Sequence, residues 1–384
     1  MMLSSFDHVV IGGGPAGAMT AFRLAAAGCE VILLEKQREP HHKVCGEFLS
    51  AEAIGYLDRV GVDPRALGAR PIQRVRLHTG HSSVHIELPF SALSLSRRTL
   101  DEALLKRAAT AGAYVRRGAF VEKLVPHGDT FSTQLRDGQQ IQSRNVFLGT
   151  GKHDLAEIPR GKGSHPDLVG FKMHWQLAPD TIETIRHSME LFLFRHGYGG
   201  FALIEDDVAN LCFVTRQIRL RELGNWPALL DKIRQETPAI DSILRGAKQC
   251  WPKPLAISPI PYGYFAQSAK GIWRMGDQAA VIPSFTGDGM SIALHSGHLA
   301  AEMYLSGGTP DAYLACLREQ LSWGMRFASG LSRLMVTSAG RILVPLSCSV
   351  APGIMSWIAA QTRIPNSALN ATHTVHRHSP IPVA

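Results

Sequence analysis

Paired cysteines are missing from this 384-residue chain. Its six, at 29, 45, 212, 250, 316 and 348, form no Cys-x-x-Cys unit and have no histidine at zinc-ligand spacing. Neither a disulfide framework nor a structural zinc site is expected, no metal ligand is assigned, and free thiols suit a reducing cytoplasm. Nor is there an apolar run long enough to span a bilayer, so no transmembrane helix is expected. The first residues enter an apolar strand without a basic stretch and a cleavable apolar segment, and secretion is not expected either. Basic runs are absent too: the net charge is +8, but Lys and Arg are scattered, which removes nucleic acid from the expected partners. There are no internal repeats.

What is present is 45% hydrophobic residues in a chain long enough for two or three structural units. Asp7–Ile11 reads as a buried parallel strand, Pro15–Ala27 as the helix after it, stopped by Gly28, and Glu30–Glu35 as a second strand, together a βαβ unit. Leu100–Ala111 carries a helical pattern and Asn145–Gly149 a short apolar strand. Between these, Val75–Leu88, Val169–Gln176 and Met189–Thr215 alternate, with turns at Thr79-Gly80, His196-Gly197 and Asp206-Asp207, which predicts a separate antiparallel sheet. After Gly271–Met275 the chain reads as mostly helical.

The fold class is therefore α/β: a Rossmann-like domain in three parts (1–70, 96–165, 266–308), interrupted by a sheet domain in two (71–95, 166–265), then a helical cap (309–365) and a polar tail (366–384) expected to be poorly ordered. Leu331–Trp357 is apolar with few charges. Core packing of the cap is the first reading of it, and peripheral membrane contact of a cytoplasmic protein the second.

Gly12-Gly13-Gly14-Pro15-Ala16-Gly17 fits Gly-x-Gly-x-x-Gly directly after a strand and opening a helix. Gly12 permits the tight turn, Gly14 lets backbone approach a pyrophosphate, and Gly17 allows close helix–strand packing. The helix N-terminus, with Pro15 and Ala16 in its first turn, offers free N–H groups worth about 0.3–1 kcal/mol to an anion at an exposed end. Glu35 ends the second strand, where a carboxylate accepts from ribose hydroxyls, and Lys36 follows it. The motif alone leaves FAD and NAD open.

The segment Gly276-Asp277-Gln278-Ala279-Ala280 through Thr286-Gly287-Asp288-Gly289-Met290 resembles the flavin-side motif of the flavoprotein monooxygenase and geranylgeranyl reductase superfamily, whose members share the p-hydroxybenzoate hydroxylase fold. The resemblance implies FAD, with Asp277 on the ribityl chain and the backbone of Gly287, Asp288, Gly289 and Met290 at the pyrimidine edge of the flavin. A helix N-terminus there stabilises the negative charge of reduced flavin. Cys45 and Gly46 in Lys43-Val44-Cys45-Gly46-Glu47 resemble the Cys-Gly loop of the reductase branch. Arg97 in Ser96–Asp101 resembles the arginine that reaches the cofactor, and Val121 falls where backbone meets adenine. Thr150-Gly151-Lys152 departs from the Asp-Gly of aromatic hydroxylases, which weakens the expectation that NAD(P)H reduces the flavin by their route. No Trp-x-Trp-x-Ile-Pro segment of a flavin halogenase occurs.

The reading that follows is an FAD-dependent monooxygenase acting on a small hydrophobic or phenolic molecule with O2 and NAD(P)H. The alternatives are a reductase of isoprenoid or lipid C=C bonds and a non-catalytic flavin or hydrophobic-ligand binder. Phe171, Met173 and Trp175 alternate with Lys172 and His174, one face toward the flavin, and His174 and Tyr198 are proton-transfer candidates, but no catalytic residue is assigned. Oligomeric state is not legible.

Overall fold

The computed structural model describes residues 3–164, 166–350, 353–365 and 367–369. β1 (Leu3–Ile11), α1 (Pro15–Ala26) and β2 (Val31–Glu35) form the βαβ unit, and all five residues of β2 are buried, as a parallel strand covered on both faces must be. The chain then leaves for β3 (Phe48–Leu49), α2 (Ala51–Arg59), β4 (Arg70–Thr79) and β5 (Ser82–Ser94) before α3 (Arg97–Thr110) returns it. α3 starts three residues earlier than its apolar pattern, because the Ser96 hydroxyl accepts from Thr99 N–H at 3.1 Å and caps it.

β6 (Tyr114–Arg117), β7 (Val121–His127), β8 (Thr130–Leu135) and β9 (Gln140–Leu148) complete a first sheet of order β6-β2-β1-β9-β8-β7, parallel through β9 and antiparallel beyond it. The apolar run at Asn145 is thus only the end of a longer strand whose polar half pairs with β1 and β8.

The second sheet adds β10 (Leu168–Gln176) and, after α4 (Pro179–Ile185), β11 (Ser188–Phe194), β12 (Gly197–Leu203) and β13 (Ala209–Arg216). Its turns place His196 and Asp206 at positive φ, 65° and 59°. The sheet was expected to be antiparallel throughout, but β11 runs parallel to β4, so it is mixed. The reason is topological: β4 and β11 come from separate excursions of the chain, and no hairpin ties their directions. Three helices that the alternating pattern gave no sign of, α5 (Gln217–Leu223), α6 (Trp226–Glu236) and α7 (Pro238–Leu244), cover one face, where Leu229, Ile233 and Ile240 pack with Phe171, Met173 and Phe213.

Short strands β14 (Lys248–Gln249) and β15 (Leu255–Ile257) border β10. β16 (Tyr264–Phe265), β17 (Trp273–Arg274) and β18 (Ala280–Val281) lead back to the first sheet, which β17 joins beside β9. Four helices follow: α8 (Gly289–Leu305), α9 (Pro310–Met335), α10 (Gly340–Val350) and α11 (Gly353–Thr362). Of the tail, 366 and 370–384 lie outside the described residues. Residues 367–369 are helical with Ala368 buried, contrary to the disorder expected of them.

Candidate FAD site

Steric demands at the first motif are severe. Gly12 sits at φ +104°, and a Cβ on Gly17 would lie 1.9 Å from the Gly12 carbonyl oxygen. The turn and the strand–helix approach therefore both require glycine. The Gly13 N–H donates to Glu35 Oε2 at 2.9 Å and Gln37 N–H to Oε1 at 2.8 Å, fixing the buried carboxylate at the mouth of the turn with Lys36 exposed beside it. A Cβ on Gly14 would meet only the Arg97 guanidinium, at 3.4 Å, and the Lys43 ammonium, at 4.0 Å. Two cations thus face the N-terminus of α1, the electrostatics a pyrophosphate requires.

Arg97 is held for that task. Its Nε and Nη2 donate to Asp101 at 2.7 and 2.9 Å, and Lys43 Nζ donates to the same carboxylate at 2.9 Å. Burial opposes the charge on Asp101, but the two cations hold its carboxyl below the usual range. Pro15 and Ala16 are buried, and Ala16 packs so tightly under α8 that a Cβ on Gly297 would be 2.3 Å from its carbonyl oxygen. Val121 is buried in the first sheet's core, so only its backbone can meet a ligand.

On the flavin side, Lys152 Nζ donates to Asp277 Oδ2 at 2.8 Å and Arg160 Nη1 to the Asp277 carbonyl at 3.1 Å. Burial works against ionisation of Asp277, yet Lys152, backed by Arg160 and Arg97, holds the carboxyl below its ordinary value. Gln278 donates to the carbonyls of Gly151 and His153 at 2.9 and 3.1 Å, clamping the two loops together. In the sequence Lys152 stands only as a departure from a motif. Its partnership with Asp277 joins residues far apart in sequence, which no local pattern reports.

Gly287 has φ +75°, and a Cβ there would be 2.6 Å from the Phe48 ring. Gly46 and Gly289 are different: a Cβ on either meets nothing within 4 Å, the open space a planar ring needs between the Cys45-Gly46 loop and the N-terminus of α8. Met290 is buried inside that helix. Asp288 contributes backbone only, because its carboxyl turns away to accept from Thr362 Oγ1 at 2.9 Å on α11. Burial pushes it up to about 6, against the pull of Arg363. These residues fit an FAD in outline: cations and a helix N-terminus for the pyrophosphate, Glu35 and Asp277 for hydroxyls, and open backbone for the ring.

The face of β10 turned to this site is the polar one. Phe171, Met173 and Trp175 pack away from it, whereas Lys172 and His174 reach Glu47, the residue after Gly46. Lys172 bonds Glu47 Oε1, His174 Nε2 lies 3.0 Å from Oε2, and the Arg97 N–H donates to Oε1 at 2.8 Å. Burial opposes a charge on Glu47, but Lys172 and His174 hold its carboxyl low. Glu47 has φ +60°, and its carbonyl accepts from Leu95 N–H and the Ser94 hydroxyl. The Cys-Gly loop is thereby anchored to the second sheet, with Cys45 half-buried and its carbonyl accepting from Asn210 at 3.1 Å.

His42 joins Glu47 and His174 in a trio whose ligand atoms lie within 4.8 Å. Lys172 already neutralises that carboxylate, so the trio carries no assignment as a metal site. Tyr198 is buried behind Phe285, with its hydroxyl 3.2 Å from Ser332.

The sequence profile of a family described as FAD binding domain matches residues 5–146. A menaquinone reductase of Mycolicibacterium smegmatis is 27% identical over 356 residues, covering 86% of this chain and 84% of its own. A digeranylgeranylglycerophospholipid reductase of Methanopyrus kandleri is 29% identical over 326 residues, covering 78% and 80%. The solved structure of a flavin-dependent brominase, Bmp2, superposes with a TM-score of 0.78 at 17% identity over 98% of this chain and all of that one, a likeness of fold. The chain thus carries an FAD binding domain over its first part, is similar along most of its length to these reductases, and is an FAD-dependent oxidoreductase.

Proposed function

We propose that this oxidoreductase is a reductase acting on a carbon–carbon double bond of an apolar, prenyl-like substrate, in preference to the phenol hydroxylation that the sequence first suggests. The observation that carries the reading is the chemistry of the face turned to the cofactor site. Met189, Leu191 and Ala202 cluster there with Phe48, Leu88 and Phe90, and Met189 and Leu191 close over Gly200, 3.3 and 3.6 Å from where its Cβ would be. Activating a phenol for hydroxylation needs a base free to act on it. The carboxylate and imidazole on this face that could act as bases, Glu47 and His174, are instead tied up with Lys172 in a buried cluster.

Bound reduced FAD would supply a hydride. The chain's own part is to hold the alkene in a dry, apolar slot and to keep a proton at hand. Burial pushes Tyr198 and Cys212 each up to about 12, so both stay protonated at neutral pH. The two curated relatives, reductases matching most of this chain, support the reading. The test is anaerobic: chemically reduced holoenzyme is mixed with a prenylated quinone or a geranylgeranyl lipid. Flavin reoxidation with a product heavier by two hydrogens is expected. Reoxidation only on admitting air, with an oxygen atom gained by the product, would overturn it in favour of the hydroxylase.

We further infer that the substrate is met at an anionic lipid surface. Ile342, Leu343 and Leu346 on α10 are 68%, 49% and 56% exposed, and Trp323 and Trp357 on the adjoining helices 65% and 52%. The chain carries no carboxylate side chain after Glu319, while Arg326 and Arg333 are exposed on α9. Apolar and indole side chains framed by arginine suit an anionic interface. No helix among the described residues is long and apolar enough to cross a membrane, so this contact is peripheral.

A further inference from the structure

Near the Gly276-Asp277 segment in sequence lies the lining of a cavity of ≈ 370 Å³, which includes Pro159, Gly161, Gly163, Gly263, Tyr264, Lys270 and Arg274. Its ionisable lining consists of Lys270, Arg274 and Tyr264, with no carboxylate. Arg274 is 4% exposed, and among the described residues its Nε has no hydrogen-bond partner and its guanidinium no ion pair; Nη1 makes one long contact, 3.4 Å, to the Tyr264 hydroxyl. Asp154, the acid that also influences Tyr264, is taken by Arg160 at 2.5 Å. A guanidinium buried without a counter-ion is strongly unfavourable, which is why buried arginines are paired in folded proteins.

Lys270 adds a second observation. It adopts φ +50° in the turn before Gly271, a conformation glycine would take without strain and a lysine does not favour. The backbone therefore places an exposed lysine in the cavity lining at some conformational disadvantage. Glycines 161, 163 and 263 also line the cavity, where backbone can come close to a ligand.

We propose that this cavity is a phosphate-binding subsite, in which Arg274 and Lys270 grip a phosphomonoester or diphosphate and the Tyr264 hydroxyl donates to it. Phosphate matches a planar guanidinium and a point ammonium together, and it supplies the counter-charge that Arg274 lacks. Two sources share this chemistry: the 2′-phosphate of NADPH as electron donor, and the diphosphate of a prenyl substrate. The site adjoins the cofactor through the short path Arg274-Met275-Gly276-Asp277, so either could serve the same flavin.

The test uses FAD-loaded enzyme and calorimetric titration with inorganic phosphate, which needs no turnover and so succeeds or fails independently of the proposed reduction. Wild-type enzyme is expected to bind phosphate, and Lys270→Gly, which suits the local φ and removes the ammonium, to weaken it about tenfold. Arg274→Met should abolish binding; should it fail to fold, Lys270→Gly and Tyr264→Phe carry the comparison. Competition by NADPH but not NADH assigns the subsite to the donor, and competition by a prenyl diphosphate assigns it to the substrate. Phosphate binding that is absent from the wild type, or unchanged in all the variants, overturns the proposal.

Discussion

Lys152 sets its ammonium 2.8 Å from the Asp277 carboxylate, so the loop after β9 and the segment after β17 meet as an ion pair at the candidate ribityl site. Asp277 has a depressed pKa, so its charge persists below the ordinary carboxylate range and is lost only when pH falls through that lowered value. Asp277→Ala is expected to weaken FAD binding by roughly 10- to 100-fold, the loss of one or two charge-assisted hydrogen bonds. Lys152→Met should instead make the affinity pH-sensitive: near wild type at pH 7 and weaker at about pH 4, where the carboxyl, no longer supported, takes up a proton. Flavin fluorescence titrations at the two pH values check both. A pH-independent Lys152→Met would show that the pair is not what keeps Asp277 ionised.

Glu47 ties the Cys45-Gly46 loop to β10, and every hydrogen-bond partner of its carboxylate is buried or backbone. Glu47→Gln strands the fully buried Lys172 ammonium and should destabilise the protein by on the order of 3–5 kcal/mol. Replacing both, Glu47→Gln with Lys172→Met, removes the stranded charge and should recover a large part of that loss. Denaturant unfolding of the two variants measures it. If the double variant is as unstable as the single one, the damage comes from the loop's geometry rather than from the charge.

The βαβ unit could be read from sequence because its signals are local: an apolar strand, glycines where Cβ atoms would clash, a helix, a terminal acid. The flavin-side segment was read through its resemblance to a family motif, which is also local in sequence. What escaped depends on contacts between distant segments. Nothing around Lys152 announces Asp277, nothing around Lys172 or His174 announces Glu47, and the parallel pairing of β4 with β11 joins strands from different excursions. Asp288 shows the opposite limit: the motif placed its backbone correctly at the start of α8, but the direction of its carboxyl is decided by Thr362 on a helix near the end of the chain.

Gly46 and Gly289 separate the needs of the fold from those of the cofactor. A Cβ on either meets nothing within 4 Å, and neither has positive φ. Gly46→Ala and Gly289→Ala should therefore leave apoprotein stability within about 0.5 kcal/mol of wild type. Both should weaken FAD by about tenfold or more through close contact with the ring. Gly17→Ala, with its Cβ 1.9 Å from the Gly12 carbonyl oxygen, should fail to fold properly. Calorimetry of the apoproteins and flavin titration distinguish the cases, and full FAD affinity in both alanine variants would place the ring elsewhere.

Exposed Ile342, Leu343 and Leu346 lead to a vesicle experiment. The protein should cosediment with phosphatidylglycerol vesicles, less so in high salt and weakly with phosphatidylcholine. Leu343→Asp with Leu346→Asp should remove binding without altering the flavin spectrum, because neither side chain is buried. Retention on vesicles by that variant would rule out α10 as the contact.

Asp288 gives the protein a pH dependence of unusual sign. Its carboxyl is raised from 3.8 to about 6, with burial as the main cause. A raised pKa means that the folded state binds the proton more tightly than the unfolded one. The associated stability is fully present below the unfolded value of 3.8, declines as pH rises, and is gone above about 6. His42 and His295, both lowered to about 4 by burial, act in the opposite sense over much of the same range, since unfolding lets them take up protons as pH falls. The effect must therefore be read as a difference between proteins. Asp288→Asn keeps an acceptor for the Thr362 hydroxyl and cannot ionise. Relative to wild type it should gain stability progressively from pH 4 to 6 and hold a constant advantage above that, on the order of 3 kcal/mol. Denaturant midpoints for both proteins across pH 4–8 measure the gap. A gap that does not change with pH would mean that Asp288 is already ionised in the folded protein, with Arg363 rather than burial deciding its state.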